Sequence, residues 1–460
     1  MFEIPHIMAL ILFAGVFIIL ISGFPVAFSL AGTAILFAGI GALTGDFIWV
    51  LLSSIPGRIV TILADETLVA VTLFVFMGVM LEKSKLAEDL LITMGQLFGD
   101  LRGGLAISVV LVGALLAAST GIVGATVITM GLISLPAMTK AKYDPKLSSG
   151  VICASGTLAQ LIPPSTVLIL LGIMLQNANS QANMKLGKLG GDIVTGTDLF
   201  AAAMLPGLFL VGGYVCFVIY KAIRAPESCP AIVMTEAERA GRLKRVLVAA
   251  VPTLVLILVV LGSILTGIAT ATESAALGAL GAALLALVKR KLTFQMLWRV
   301  SQDTLQISVM VCAILIGSTF FSLVFRGLGG EDIITHLITQ IPGGQSGAVL
   351  FVLALMFLLG FILDTFEIIF IVVPIFAPAL FMLGVDPVWL GTAMALVLQT
   401  SYLTPPFGFA LFYLQGVAPQ LRSADIMRGV VPFVILQLCG VVAIWFVPQM
   451  ATWLPKVLFD

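Results

Sequence analysis

The sequence predicts an all-α polytopic membrane protein made of two inverted-topology repeats. Hydrophobic residues make up 60% of the 460 positions and charged residues only 10%, whereas a typical soluble domain has about 25% charged residues. Several apolar runs reach the roughly 20 residues that a helix needs to cross a bilayer. Two further observations, a segment that occurs twice and an uneven distribution of basic residues, predict the repeats and their orientation.

The repeated segment is an apolar stretch interrupted by polar residues and a proline pair. One copy, at 144–169, reads DPKLSSGVICASGTLAQLIPPSTVLI, and the other, at 386–411, reads DPVWLGTAMALVLQTSYLTPPFGFAL. Both begin with Asp-Pro, both reach the proline pair at the same spacing, and they lie half a chain apart. Interrupted apolar segments at matching places in two halves are typical of the binding site of a secondary transporter.

The first repeat is predicted over 1–220 and contains a re-entrant hairpin near 103–138. Two apolar arms of half length flank a small polar centre, Ser119-Thr120-Gly121, and irregular backbone at membrane depth is tolerated only where it is buried or lines a cavity. A kinked span or a close helix-packing face is the alternative interpretation. No basic region precedes the first apolar run, so we expect a retained span there rather than a signal peptide. The other elements expected are spans at 5–22, 25–44, 67–81 and 199–220, an interfacial helix at 47–64, a charged loop at 82–102, an interrupted helix at 147–175 and a polar external stretch at 176–198.

The second repeat is predicted over 246–460, after a hydrophilic stretch at 221–245 that we interpret as a cytoplasmic linker. Its hairpin is expected near 347–383, with Asp364-Thr365-Phe366-Glu367 at the tip. The other elements expected are spans at 246–266, 270–288, 300–325 and 428–450, and an interrupted helix at 388–415. Each repeat then has about five spans and one hairpin.

Basic residues flank the first predicted hairpin but not the second. The flanks of the second, 327–346 and 384–387, contain neither lysine nor arginine. The basic residues near the first hairpin are Lys83, Lys85, Arg102, Lys140, Lys142 and Lys146. Because cytoplasmic loops carry an excess of Lys and Arg, we expect the first hairpin to enter from the cytoplasm and the second from outside, which makes the two halves inverted.

Two acids lie in the middle of an apolar run, where ionisable residues are functional candidates. Asp364 and Glu367, with carbonyl groups at the hairpin tip, would offer oxygen-only ligands, and such ligands suit a hard cation such as sodium. The alternative is that Asp364 caps the helix that follows it. Glu273, in another apolar region, is explained equally well as an acid of the first helical turn.

Neutral polar residues at the first hairpin tip and at both interruptions complete the candidate site. Hydroxyls, an amide and freed carbonyls can surround a dehydrated ion, and the N-termini of half-helices present positive dipole ends to a carboxylate. Serine and threonine also occur simply as packing residues in membrane helices. The expected substrate-binding residues are Ser119, Thr120, Gly121, Ser155, Gln399 and Thr404. The expected cation ligands are Ser155, Gly156, Thr157, Asp364, Thr365, Glu367, Thr400 and Ser401.

Several function classes find no support in the sequence. The 23 basic and 23 acidic residues balance, so we expect no nucleic-acid partner. The five cysteines form no C-x-x-C pair and predict neither a disulfide framework nor a metal site. There is no Walker A motif, zinc motif or nucleophile–base pair, so we expect no enzyme activity. A passive pore is a rival interpretation, and it would need a continuous polar lining and no coupling ion.

Four longer stretches are characteristic of one family. They are ASGTLAQLIPPS at 154–165, GIATATESAA at 267–276, GFILDTFEIIFIVVPIFAP at 360–378 and GVDPVWLGTAMALVLQTSYLTPPFG at 384–408. With them the chain resembles, over essentially its whole length, the DctM-like large membrane subunit of tripartite ATP-independent periplasmic (TRAP) transporters. The family pattern has T-P-T-E where this chain has Thr270-Ala271-Thr272-Glu273, and commonly a Ser-Gly-Ser type of tip where it has Ser119-Thr120-Gly121.

The resemblance implies an elevator-type secondary transporter of the bacterial inner membrane, whose hairpins and broken helices hold substrate and sodium. It also implies two partner proteins. A periplasmic substrate-binding protein would deliver the substrate, usually a carboxylate, and a separate four-helix small subunit would complete the membrane part. We therefore expect a sodium-coupled importer subunit for a small organic anion. A stand-alone sodium- or proton-coupled carboxylate transporter of the same broad fold is the alternative.

Overall fold

The computed structural model describes residues 4–188, 194–232 and 242–459, and every regular element in these ranges is helical. The first ten helices are α1 (Ile4–Ile21), α2 (Val26–Thr44), α3 (Ile55–Leu63), α4 (Glu66–Lys83), α5 (Leu86–Phe98), α6 (Gly104–Thr120), α7 (Val123–Lys140), α8 (Pro145–Thr157), α9 (Thr166–Lys185) and α10 (Gly196–Arg224). The next ten are α11 (Arg242–Leu265), α12 (Ala271–Val288), α13 (Phe294–Gly327), α14 (Gly330–Gln340), α15 (Gly344–Leu359), α16 (Thr365–Met382), α17 (Pro387–Leu403), α18 (Phe409–Val417), α19 (Ser423–Phe446) and α20 (Gln449–Phe459). Short 3-10 helices lie at Trp49–Ser54, Leu158–Gln160 and Pro226–Ser228.

Long apolar helices dominate the described part of the chain. Eight of them are long and apolar enough to cross a membrane, and two bent helix pairs raise the number to ten if each pair is one span. Many large apolar side chains point outward, among them Phe28, which is 75% exposed. A soluble protein would rarely leave so much apolar surface uncovered, whereas lipid covers it in a membrane. The predicted class, an all-α multi-pass membrane protein, is confirmed.

Three stretches for which the sequence predicted no helix contain helical residues. The charged loop at 82–102 holds α5, the flank at 327–346 holds α14, and α9 continues into the polar stretch at 176–198 as far as Lys185. In α5 the apolar Leu90 and Leu91 are buried, and its acids lie on the more open face, so the helix is amphipathic. The expectation of a loop at 82–102 is wrong, because the apolar residues of this charged stretch recur with the helical period and form a buried face.

The cap interpretation of Glu273 is what the structure shows. Thr270 precedes α12, and its side chain accepts a hydrogen bond from the backbone N–H of Glu273. The Glu273 carboxylate accepts in turn from the backbone N–H of Thr270 at 2.8 Å. This reciprocal pair is a capping box, which satisfies donors at a helix N-terminus.

The helices form two compact units. Unit 1 consists of Met1–Val69, Leu170–Thr195 and Leu305–Pro387, and it contains α15 and α16 on either side of the second predicted tip. Unit 2 consists of Ala70–Ile169, Gly196–Thr304 and Val388–Asp460, and it contains α6, α7 and both proline pairs. Each unit draws on both halves of the sequence, and the inverted repeats stay a prediction.

In unit 2, α6 and α7 form a helical hairpin. Gly103, just before α6, donates its backbone N–H to the carbonyl of Cys229 at 2.9 Å, and Asp144, after α7, donates to the carbonyl of Ser228 at 2.9 Å. The start of α6 and the end of α7 are therefore held side by side. Gly121 forms the turn with a φ of +61°, a left-handed conformation that glycine adopts without steric cost.

Close helix packing surrounds α8 in unit 2. Every residue from Leu147 to Thr157 is buried. A Cβ atom at Gly150 would collide with the carbonyl oxygen of Gly429 in α19, and one at Gly156 would collide with Val127 in α7. Small residues at these points let helix backbones approach closely, as they commonly do in membrane proteins. The hairpin, α8 and α19 are therefore packed as one block.

Candidate functional site

The first predicted interruption is a break between α8 and α9. Helix α8 ends at Thr157, a 3-10 turn covers Leu158–Gln160, and α9 begins at Thr166. A proline pair lies in the break, where the missing N–H groups and the ring clash prevent a helix from continuing. The hairpin turn lies against this break, because the hydroxyl of Thr166 donates to the carbonyl of Gly121 at 3.0 Å.

The predicted residues before the first break are buried in helix packing. Ser155 and Thr157 have no exposed surface, and their hydroxyls donate to carbonyls of their own helix at 2.6 and 2.9 Å. Gly156 provides the close contact with α7. The side chains of Ser119 and Thr120, at the end of α6, lie outside the described part of the structure.

The second predicted interruption separates α17, which ends at Leu403, from α18, which begins at Phe409. Thr400, Ser401 and Thr404 donate their hydroxyls to helix carbonyls at 2.7, 2.8 and 2.7 Å. Each hydroxyl oxygen still has lone pairs with which it can accept a hydrogen bond or coordinate a cation. The second break thus presents inward-facing oxygens without any charge.

A buried amide–hydroxyl cluster connects the two breaks within unit 2. Gln437, from the middle of α19, donates its Nε2 group to Thr157 Oγ at 3.1 Å and to the hydroxyl of Tyr214 at 2.8 Å. Gln399, from α17 just before the second break, lies near the same Tyr214 hydroxyl but makes no hydrogen bond with it. All four side chains are buried. The ends of both broken helices therefore come close to one phenol group, which lies on α10.

Three polar atoms of this cluster make no hydrogen bond with any described group. They are both amide atoms of Gln399 and the amide oxygen of Gln437. An unsatisfied buried polar group costs about 1–3 kcal/mol, and a core position filled by leucine would avoid that cost. The amide oxygens can coordinate a hard cation, and the Gln399 amide nitrogen can donate to a carboxylate.

Tyr214 and Gln437 were not among the residues predicted from the sequence. A signal for Gln437 exists, because it is an amide in the middle of the apolar run VVPFVILQLCGVV, and polar residues inside spans often form interhelical hydrogen bonds. Tyr214 offered no such signal, since an aromatic residue in a span is ordinary.

The two predicted acids belong to unit 1 and form a capping box at the start of α16. The carboxylate of Glu367 accepts from the backbone N–H of Asp364 at 3.1 Å, and Asp364 accepts from the N–H of Phe366 at 3.4 Å. Thr365 between them is buried. This is the helix-cap geometry that the sequence left open as the alternative. Among the described residues, no group of three His, Cys, Asp or Glu side chains is placed to hold a metal ion.

The structure thus divides the predicted site residues between the two units. Unit 2 brings together the hairpin turn, the first break and the second break through Thr166, Tyr214 and Gln437. Unit 1 holds the acid pair. The predicted roles in substrate and sodium binding stay predictions.

A family comparison fits this arrangement of broken helices. Residues 13–450 match the family described as the DctM component of tripartite ATP-independent periplasmic transporters. The chain belongs to this family. DctM components are transporter subunits rather than enzymes, and the resemblance predicted from the four motifs is confirmed.

Relatives of this DctM-family chain extend along nearly its whole length. It is 28% identical over 393 residues to the C4-dicarboxylate TRAP transporter large permease protein DctM of Pseudomonas aeruginosa, covering 85% of this chain and 86% of that one. It is 28% identical over 457 residues to the ectoine/5-hydroxyectoine TRAP transporter large permease protein UehC of Ruegeria pomeroyi, covering 98% and 100%. The chain is a multi-pass bacterial membrane protein of this kind.

A solved transporter structure shares the fold of the chain. The YdaH transporter of Alcanivorax borkumensis superposes with a TM-score of 0.61 over 87% of this chain and 89% of that one, at 14% sequence identity. At that identity the likeness shows a common fold alone.

Proposed function

We propose that this DctM-family subunit imports a small organic anion, that sodium drives the import, and that a periplasmic binding protein delivers the cargo. The single observation that supports this most is that both broken helices come close to the buried hydroxyl of Tyr214, which Gln437 joins to Thr157 of the first one. Broken helices expose backbone carbonyls and helix ends at membrane depth, which are the groups that bind ions and anionic substrates in secondary transporters. An elevator-type movement of these helices would carry the cargo.

Sodium is the proposed coupling ion because the two breaks present amide and hydroxyl oxygens. The unpaired amide oxygens of Gln399 and Gln437 and the hydroxyls of Thr400 and Ser401 lie at or near the breaks. Hard cations prefer such oxygen ligands. In unit 1, Asp364 and Glu367 would offer carboxylate oxygens to a cation at the start of α16.

The proposed cargo class is supported by the site and by the names of relatives. The relatives above are named for C4-dicarboxylates and for ectoines, so we assign the class of small carboxylate-bearing solutes and no single compound. A helix N-terminus such as that of α9 or α18 attracts a carboxylate through its free N–H groups and dipole.

Two partner proteins are part of the proposal. The relatives are named as large permease proteins, which fits a separate small membrane subunit. The polar stretch at 176–198 is too short to fold around a ligand by itself, so capture of scarce cargo falls to a binding protein.

Reconstitution tests the proposal against its alternatives. Liposomes that hold the large and small subunits should accumulate cargo only when an inward sodium gradient and the cognate binding protein are both supplied. Accumulation without binding protein would favour the stand-alone carrier. If cargo only equilibrates across the membrane, at a rate that does not depend on sodium, a passive pore is favoured.

A further inference from the structure

A cavity in unit 1 is lined by two arginine residues. It has a volume of about 410 Å³ and is lined by segments of α3, α9, α13 and α16. Arg58 of α3 and Arg326 near the end of α13 both face it, and their charges are near enough to interact. The cavity is separate from every residue predicted above for cargo or sodium.

The charge balance of this cavity is positive. Arg326 uses Nε to bind Glu331 at 2.8 Å, and Lys185 binds the other oxygen of Glu331 at 2.6 Å. One carboxylate thus already has two cationic partners. Among the described residues Arg58 forms no ion pair, and no acid lines the cavity. Two guanidinium groups that line one cavity repel each other, and an anion bound in the cavity would relieve that repulsion.

The rest of the lining can complete the recognition of an anion. Ser318 and Ser322 of α13 offer hydroxyl donors at the cavity wall. The amide oxygen of Gln181, on α9, is buried and makes no hydrogen bond with any described group. An unsatisfied polar atom of this kind is expected where a polar ligand binds. The wall therefore supplies charged and neutral hydrogen-bonding groups together.

We propose that this cavity is a second binding site for a small soluble carboxylate, held by Arg58 and Arg326. Guanidinium groups bind carboxylates through paired, charge-assisted hydrogen bonds, and the contact of Arg326 with Glu331 is made through Nε. The exposed rim carries Thr61, Asn177 and Ser180. A polar rim is suited to a mouth that faces water, and this favours a soluble anion over the headgroup of an anionic lipid.

Arg58→Gln is the sharpest variant, because it breaks no ion pair among the described residues. Arg326→Gln is the second variant, and it leaves Glu331 paired with Lys185. The matched control is Arg299→Gln, an exposed arginine on the same helix as Arg326 that does not line the cavity. The full chain is placed in nanodiscs of neutral phosphatidylcholine, and binding of succinate is measured by calorimetry without sodium or binding protein.

The expected result is saturable succinate binding that weakens about tenfold or more in both cavity variants and is unchanged in Arg299→Gln. The neutral analogue succinamide should bind at least about tenfold more weakly than succinate. Equal affinity in all variants, equal binding of succinamide, or no saturable binding by the unaltered protein would overturn the proposal.

A second arm separates a soluble anion from a lipid headgroup. Phosphatidylglycerol in the nanodisc should leave succinate affinity unchanged, and displacement of succinate by that lipid would overturn the assignment to a soluble carboxylate. This measurement needs neither transport nor coupling. If succinate does not bind in this cavity, the proposed transport function is unaffected. If sodium-coupled transport is not found, the cavity can still bind succinate.

Discussion

The hydroxyl of Thr166 donates a hydrogen bond to the carbonyl of Gly121, 3.0 Å away, and so joins the first hairpin turn to the first residue of α9. Both residues belong to unit 2. The bond crosses from the hairpin to the helix that follows the proline pair. It fixes the turn beside the break where we propose that cargo binds.

Thr166→Val keeps the shape of the side chain and removes this hydrogen bond. Because a hydrogen bond of this kind contributes about 1 kcal/mol, we expect a small loss of stability and a clear loss of transport, on the order of tenfold. The control is Thr392→Val, since Thr392 is equally buried but bonds only within α17. If the two variants transport alike, the bond between hairpin and break has no functional role.

Gln399→Leu should separate function from stability. Neither amide atom of Gln399 has hydrogen-bond geometry with a described group, so leucine should leave the free energy of unfolding unchanged or raise it by about 1 kcal/mol. We expect transport and its sodium activation to be lost nonetheless. Thermal unfolding and uptake are measured on the same purified protein.

Gln437→Leu is the matched contrast. Its Nε2 group has two partners, Thr157 and Tyr214, so we expect this variant to lose about 1–3 kcal/mol of stability. A Gln399→Leu variant that unfolds as easily as Gln437→Leu would mean that Gln399 is structural, and the ligand role would be abandoned.

Asp364→Asn removes a charge while keeping the helix cap. Asparagine caps a helix about as well as aspartate, so the hydrogen bond from Phe366 can be retained. We expect the sodium concentration for half-maximal transport to rise, with little change in the amount of protein in the membrane. Sodium activation identical to that of the unaltered protein would leave Asp364 with the cap role alone.

The inverted repeats predict opposite membrane sides for two exposed positions. Lys142 follows α7 and Gln340 ends α14, and both are exposed. Single cysteines at these two positions, in a chain without its five native cysteines, should react with an impermeant reagent from opposite sides. Labelling from one common side would contradict the inversion.

Sequence periodicity and breakers located most helices, because these signals are local. Gly23-Phe24-Pro25 ends one apolar run and starts the next, and α1 and α2 end and begin there. The proline pairs likewise predicted both breaks. Helix α5 was missed since its acids suggested a loop, although Leu90 and Leu91 mark its buried face.

The sequence could predict only those parts of the candidate site whose residues all lie in one short segment of the chain. The Asp364 cap depends on residues three positions apart, and the sequence offered it as an alternative. The cluster of Gln399, Gln437 and Tyr214 comes from three helices that are distant in sequence, and packing alone brings them together. Arg58 and Arg326 were each visible as single charges, but their shared cavity depends on the tertiary fold.

Accumulation of cargo against its gradient is the decisive measurement of sodium coupling. Proteoliposomes containing both membrane subunits, with binding protein and labelled cargo outside, are given an inward sodium gradient at fixed pH and clamped membrane potential. We expect cargo to rise above its outside concentration, and we expect a sodium ionophore but not a proton ionophore to collapse this accumulation. Accumulation that is unchanged by the sodium ionophore would contradict sodium coupling, and so would cargo that only equilibrates.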